Sequence, residues 1–173
     1  MIKIYTDGSC KKNPGPGGFG VVVLSEENNV LEYFYNEKCS ETTNNREELK
    51  AILYAFELAQ TKYKNEDCLI YSDSAYCVNI CNDWIHSWAR NGWKNSKKMT
   101  VENVDLIQLL YKYLNIDFFN CQVLKTNGHV GVVGNELADA LATFNDKKFK
   151  KIVKENNVTT KEMSYIKNKI DLF

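Results

Sequence analysis

Apolar and polar positions recur along this chain with two different periods, and the switches between them mark its elements. From Ile2 to Thr6 the residues alternate, which predicts a strand. Phe19 to Leu24 and Val30 to Tyr35 predict two more, joined by the polar hairpin loop Glu26-Glu27-Asn28-Asn29. Between the first two, Asn13-Pro14-Gly15-Pro16-Gly17-Gly18 predicts a turn, because proline fixes φ and glycine tolerates positive φ. The period then lengthens. From Asn44 to Gln60, Ile52, Ala55 and Ala59 recur at helical spacing. Cys68 to Ser72 predicts a short apolar strand. Val78, Cys81, Ile85 and Trp88 suit one helix face, and Val101 to Leu114 a further helix. Phe118 to Leu124 predicts the last strand. Val133 to Phe144 predicts the last core helix, with Leu137, Ala138, Leu141 and Ala142 as its apolar side. Nearer the C-terminus Thr159 and Glu162 fit a capping box, and Met163, Ile166 and Ile170 share a face, so one more helix is expected there.

Three strands in succession, then helices alternating with single strands, predict an α/β fold with a mixed sheet and helices packed on its faces. A length of 173 residues suits one domain with an appendage and is enough to bury a core. No apolar stretch approaches the length of a membrane span. The opening residues carry neither the apolar segment nor the cleavage site of a signal peptide, so a cytosolic, cytoplasmic protein is expected. Cys10, Cys39, Cys68, Cys77, Cys81 and Cys121 form no CxxC pair and read as reduced thiols. With only His86 and His129 in the chain, a histidine-built zinc site is not expected.

The formal net charge is zero, so bulk charge does not announce a nucleic-acid binder. Its distribution changes that picture. From Trp84 to Val101 there is no acid, while Arg90, Lys94, Lys97 and Lys98 all fall there. The segment after Asp146 is also rich in lysine, which leaves the rest acidic on balance.

Three carboxylates sit where structure alone would not place them. Asp7 follows the first alternating strand. Asp73 ends the apolar strand Cys68 to Ser72. Glu48 lies on the same helix face as Ile52, Ala55 and Ala59, where an acid is costly unless something pairs with it. Asp139 falls just after Leu137-Ala138 in the last core helix. Strand-end and helix-start acids can converge at one sheet edge, raise each other's pKa, and be relieved by Mg²⁺ or Mn²⁺, which favour oxygen ligands. Two such ions can activate water and stabilise the leaving oxygen of a phosphodiester. Each acid also has a plain reading: Asp7 as a strand-to-turn residue, Asp73 as a helix N-cap, Glu48 as a surface partner of Arg46 or Lys50.

The surrounding motifs carry a resemblance. Tyr5-Thr6-Asp7-Gly8-Ser9 with Asn13-Pro14-Gly15-Pro16-Gly17-Gly18 resembles the first strand and turn of type 1 ribonucleases H. Thr43-Asn44-Asn45-Arg46-Glu47-Glu48-Leu49 resembles that family's TNNRxEL helix start, and Tyr71-Ser72-Asp73-Ser74 its strand-end aspartate. Gly128-His129-Val130-Gly131-Val132-Val133-Gly134-Asn135-Glu136-Leu137-Ala138-Asp139 resembles its GHxGxxGNExAD signature. The resemblance covers nearly all of residues 1–145. It implies a ribonuclease H fold over 1–146, with a five-stranded mixed sheet flanked by helices, and leaves 147–173 as a lysine-rich, partly helical extension. It also implies that Asp7, Glu48, Asp73 and Asp139 hold two Mg²⁺ ions, that RNA–DNA hybrid is the substrate, and that hydrolysis leaves 5′-phosphate and 3′-hydroxyl ends. His129 matches a family histidine that assists proton transfer or product release.

Substrate contacts follow from the same resemblance. Trp88, Arg90, Trp93, Lys94, Lys97 and Lys98 match the family's basic protrusion, which grips the DNA strand; aromatics interleaved with basic residues make such a platform. Trp84 reads as packing. Asn13, Asn44 and Asn45 match positions lining the minor groove, where amides can read 2′-hydroxyls. All three could equally be turn or cap residues. Cys10 matches a position near the cleaved strand, and Thr43 and Asn103 a pocket for a DNA phosphate. Two departures stand out. Glu41 occupies the place of an arginine in that phosphate pocket, and Ala75 the place of a glutamine. A resolvase or integrase core would share the strand-end acids but not these motifs, and a binding-only relative would not need all four carboxylates. No sequence feature signals oligomerisation, and a monomer is expected.

Overall fold

The two periods of the sequence resolve into one sheet with a helical layer on each face. A computed structural model describes residues 1–116, 120–126 and 132–158. The chain runs β1 (Ile2–Cys10), β2 (Gly15–Leu24), β3 (Val30–Tyr35), β4 (Cys39–Thr42), α1 (Asn44–Thr61), β5 (Cys68–Ser72) and α2 (Ala75–Asn79). A π-helical turn (Ile80–Trp84) follows, then α3 (Ile85–Arg90), α4 (Val104–Leu114), β6 (Cys121–Lys125), α5 (Val133–Ala142) and α6 (Asp146–Glu155). The main path of the sheet is β3-β2-β1-β5-β6, and β4 adds a short sixth strand on β2. The β1–β2 and β2–β3 pairs are antiparallel, while β1–β5 and β5–β6 are parallel. The mixed α/β sheet is therefore as expected, with β4 as an addition. Its sequence, Cys-Ser-Glu-Thr, carries no apolar alternation, and pairing with the start of β2 alone makes it a strand.

Alternation along β1 and β2 sorts their side chains to the two faces. Ile2, Ile4, Val21 and Val23 join Leu49, Ile52 and Phe56 of α1 in one core. Tyr5, Val22 and Leu24 join Leu137 and Leu141 of α5 in the other. Burial of each such side chain contributes on the order of 2 kcal/mol, so the central strands, covered on both faces, anchor the fold. No described helix is long and apolar enough to cross a membrane. All six cysteines are free thiols.

The element ends differ from the sequence reading in informative places. β1 does not stop at Thr6: it runs through Asp7 to Cys10, because its partner β2 starts at Gly15 and keeps the ladder going, Asp7 opposite Gly20. Gly15 to Gly18, read as turn residues, are thus in a strand, and the turn shrinks to the residues between Cys10 and Gly15. Val78, Cys81 and Ile85 do share a buried face, but the π-helical turn interrupts their helix. The α6 helix opens the lysine-rich segment, N-terminal to the stretch whose spacing predicts a helix. Asn145 caps it by accepting from the Lys148 N–H at 3.0 Å, and Phe149 and Ile152 bury against the second core, with the Phe149 and Tyr33 rings 4.7 Å apart. The helix expected around Thr159 to Ile170 and the residue Phe118 lie outside the described residues.

Candidate active site

The parallel β1–β5 register ends at Thr6 opposite Ser72, so the next residues, Asp7 and Asp73, come side by side at the carboxyl ends of two adjacent strands. Such strand ends are where open α/β sheets place their chemistry. Two glycines let helices close on this edge. A Cβ on Gly8 would fall 2.2 Å from the Glu48 backbone nitrogen, so α1 starts directly on β1 and delivers Glu48. A Cβ on Gly20, the ladder partner of Asp7, would fall 2.3 Å from the Ala138 carbonyl oxygen. The α5 helix therefore lies flat on β2 there and brings up Asp139. The four acids line one cleft of about 350 Å³ with Gly8, Ser9, Asn44 and Ser74.

Within it the acids are not equivalent. Asp7, Glu48 and Asp73 form the tight group, each with a carboxylate oxygen within 4.8 Å of the others. Asp139 borders them, but its Oδ2 accepts from the Lys148 ammonium of α6. Burial, then the charges of Asp73 and Asp139, push the Asp7 carboxyl up to about 8, against the lowering influence of the Gly8 N–H and of Lys148. Burial, then Asp7 and Asp73, likewise hold Glu48 well above the usual carboxylate range. Glu48 Oε2 is buried and has no hydrogen-bond partner among the described residues. An orphaned buried carboxylate oxygen beside two further acids fits a hard divalent cation such as Mg²⁺ or Mn²⁺.

The plain readings of these acids fail for identifiable reasons. Ser74, not Asp73, caps α2 by accepting from the Cys77 N–H at 3.3 Å. Arg46 is taken by Asp105, with N···O distances of 3.0 and 2.8 Å, and Lys50 pairs with Glu47 at 2.8 Å. Glu47, the neighbour of Glu48, is the structural acid. Completely buried, it also accepts from Thr42 Oγ1 at 2.7 Å and Asn36 Nδ2 at 3.1 Å. Glu47→Gln is expected to lower stability by about 2 kcal/mol, since a charged acceptor of several donors is lost; urea unfolding checks this. Asn135 was missed in the sequence reading. It is 1% exposed, and its Nδ2 lies 3.5 Å from Asp73 Oδ2, which makes it the orienting neighbour of that acid. Its signals were its place in the GHxGxxGNExAD signature and an amide on the buried side of an apolar helix.

Around the cleft the other expected residues divide. Asn44 lines it, and the Asn13 side chain accepts from the Asn44 backbone N–H at 3.0 Å; Asn45 is half-buried on the next position of α1. Cys10 turns its thiol toward the carbonyls of Thr42 and Gly15, at 3.2 and 3.4 Å. Thr43 caps α1, and Asn103 accepts from Arg46 and donates to the Tyr76 hydroxyl. An arginine thus does stand beside Thr43 and Asn103, though its charge is answered by Asp105, while Glu41 points its segment to solvent. His129 lies outside the described residues.

Farther along, Arg90, Lys94, Lys97 and Lys98 are exposed, and Trp88 and Trp93 are half-buried against the first core. Trp84, 38% exposed, lies outside the core but packs against two aromatic rings, Trp88 tilted at a centroid distance of 5.6 Å and Tyr76 edge-on at 6.4 Å. The π-helical turn ends at Trp84, which leaves that ring on the surface. Trp84, Trp88, Lys94 and Asn95 line a second cleft of about 400 Å³. Its loop is built rather than loose. The Asn95 side chain accepts from the Lys97 and Met99 N–H groups, and Trp93 holds φ of 62° while its N–H bonds Trp88 O at 2.7 Å.

Comparison with known proteins agrees with this architecture. The RNase H family model matches residues 1–146. A curated protein named Ribonuclease H from Orientia tsutsugamushi (strain Boryong) is 42% identical over 160 residues, spanning 92% of this chain and 90% of that protein. Among solved structures, LC9-RNase H1, described as a type 1 RNase H with the type 2 active-site motif, is similar with a TM-score of 0.66 and 28% identity, over 83% of this chain and 70% of the other. LC11-RNase H1 in complex with RNA/DNA hybrid shares the fold, with a TM-score of 0.60 and 24% identity over 86% of this chain and 98% of that one.

Proposed function

The chain belongs to the ribonuclease H family and is a nuclease, and on that premise we propose that it hydrolyses the RNA strand of RNA–DNA hybrids with two divalent metal ions, leaving 5′-phosphate and 3′-hydroxyl ends. The observation that carries this reading is the tight, buried group of Asp7, Glu48 and Asp73 at the strand ends, with Asp139 at its border. A hybrid-bound structural neighbour supports the choice of substrate.

Asp7, Glu48, Asp73 and Asp139 would hold the ions. Bound there, the cations supply a water nucleophile ionised near neutral pH and offset charge on the leaving oxygen. The chain's own residues do the rest. Asn135 keeps the Asp73 carboxylate turned into the cleft. Asn13, Asn44 and Asn45 present amide and backbone groups to the minor groove, where 2′-hydroxyls separate RNA from DNA. Trp88 and Trp93 offer ring faces, and Arg90, Lys94, Lys97 and Lys98 offer positive charge to the DNA strand; Trp84 joins them. Thr43 and Asn103 receive a DNA phosphate. His129 assists proton transfer or product release.

The test is cleavage of end-labelled hybrid, duplex RNA and duplex DNA. Cutting confined to the RNA strand of the hybrid, present in Mg²⁺ and abolished by EDTA, is expected. No cleavage of hybrid in Mg²⁺ or Mn²⁺, or equal cleavage of duplex RNA, would sink the reading. The grip has its own measurement. Replacing Lys94, Lys97 and Lys98 together by alanine should weaken hybrid binding roughly tenfold at low salt and flatten the log–log salt slope by about 2. Fluorescence anisotropy across a salt series checks it.

A further inference from the structure

Lys148 lies just outside the matched family segment, which ends at residue 146, yet its ammonium reaches Asp139 at the border of the acidic cleft. It donates to Asp139 Oδ2, and the same charge bears on Asp7. Its place is secured by its helix. Asn145 caps α6 one turn earlier, and the neighbouring Phe149 anchors that turn in the second core. Residues 143–145 alone separate α6 from the helix that carries Asp139, so Lys148 and its acid are joined by a short, packed connection.

The cleft is therefore asymmetric. On one side Glu48 Oε2 is buried without a hydrogen-bond partner among the described residues. On the other, a lysine already occupies an oxygen that a divalent ion would use. An ammonium and a dication would draw on the same carboxylate, and two neighbouring positive charges repel. We propose that Lys148 is a positioning residue: a tethered cation that competes with a divalent ion for Asp139, sets the metal concentration at which that side of the cleft fills, and steadies the carboxylates when metal is absent. This rests on the metal-dependent reading of the site given above. It implies that the metal requirement of this enzyme is tuned from outside the catalytic segment, by a helix whose other work is to cover a core.

The test measures Mn²⁺ binding directly, by electron paramagnetic resonance of free Mn²⁺, without nucleic acid. It uses the full chain, Lys148→Met, Lys148→Arg, Lys150→Met as an exposed control on the same helix, and Asp139→Asn to identify the ion that uses Asp139. Lys148→Met is expected to bind that ion about fivefold more tightly, the size expected when one partly exposed ionic competitor is removed. Lys148→Arg and Lys150→Met should match the native chain. The metal-free Lys148→Met protein should also melt at a lower temperature, a loss that Mn²⁺ reverses. Unchanged or weaker Mn²⁺ binding by Lys148→Met would overturn the role given to Lys148 while leaving the catalytic reading intact. Absence of Mn²⁺ binding by the native chain would overturn both.

Discussion

Asp7→Asn is expected to abolish hybrid cleavage, by about a thousandfold or more, and at the same time to stabilise the metal-free protein at pH 8. Loss of activity follows from removing a carboxylate from the centre of the tight group, since positioned charge at such a site is worth two to three or more orders of magnitude. The stability change follows from the proton balance. Folding raises the Asp7 carboxyl from an ordinary 3.8 to about 8, chiefly through burial and then through Asp73 and Asp139. Between those pH values the folded chain holds a proton that the unfolded chain has released. Stability of the metal-free protein therefore falls as pH rises through that window, and Glu48, shifted in the same direction, adds to the slope. Asparagine cannot ionise, so the slope becomes shallower and the gain is largest at the alkaline end. Divalent metal should restore stability to the native chain at pH 8 and do little for Asp7→Asn. Urea unfolding at pH 5 and pH 8, with Mg²⁺ and with EDTA, reads all four cases. A native chain whose metal-free stability climbs from pH 5 to pH 8 would contradict the account.

Gly8→Ala should lower both stability and cleavage. The added methyl would sit 2.2 Å from Glu48 N, 2.5 Å from Glu47 C and 2.8 Å from Glu48 Cα, all backbone, so no side chain can swing aside. The start of α1 must retreat, at a cost of about 3 kcal/mol. Its retreat also withdraws Glu48 from Asp7 and Asp73 and loosens the hydrogen bonds that Glu47 makes to Thr42 and Asn36. Thermal unfolding should register the loss, and hybrid cleavage in saturating Mg²⁺ should fall by about tenfold or more even well below the melting temperature, because a small misplacement of a reacting group is expensive. A variant with lowered stability but native cleavage would show that Glu48 is not held by this contact.

Much of this is legible in the sequence. Val30 to Tyr35 and Cys68 to Ser72 show their strand period because each lies against a core and carries little else. Glu48 stood out because an acid on the Ile52 and Ala55 face has to be answered by something. The pairing that answered the other acids of α1 was not legible. Whether Lys50 meets Glu47 or Glu48 depends on which way the first turn of the helix faces, and that is decided by Gly8 on another strand. β4 was hidden for a related reason: its four polar residues form a strand only because β2 extends past the expected turn to meet them. Lys148 was hidden among many lysines. Nothing local separates it from Lys147 or Lys150, and only the packing of Phe149 and Ile152 decides which of them faces Asp139.

The π-helical turn at Ile80–Trp84 has a consequence for how such a chain can change over time. A π turn carries about one residue more than an α turn, so it rotates everything after it by roughly 100° relative to an uninterrupted helix. Upstream, Ser74 and Cys77 pin the helix start next to Asp73. Downstream lie Trp88, Arg90 and the basic loop. Deleting the exposed Asp83 would relax the turn and re-aim that whole surface, while the carboxylates, on the far side of a fixed helix start, would stay where they are. Insertions and deletions at this one point thus form a route by which a lineage can remodel the surface that holds its polymer without disturbing the chemistry that cuts it.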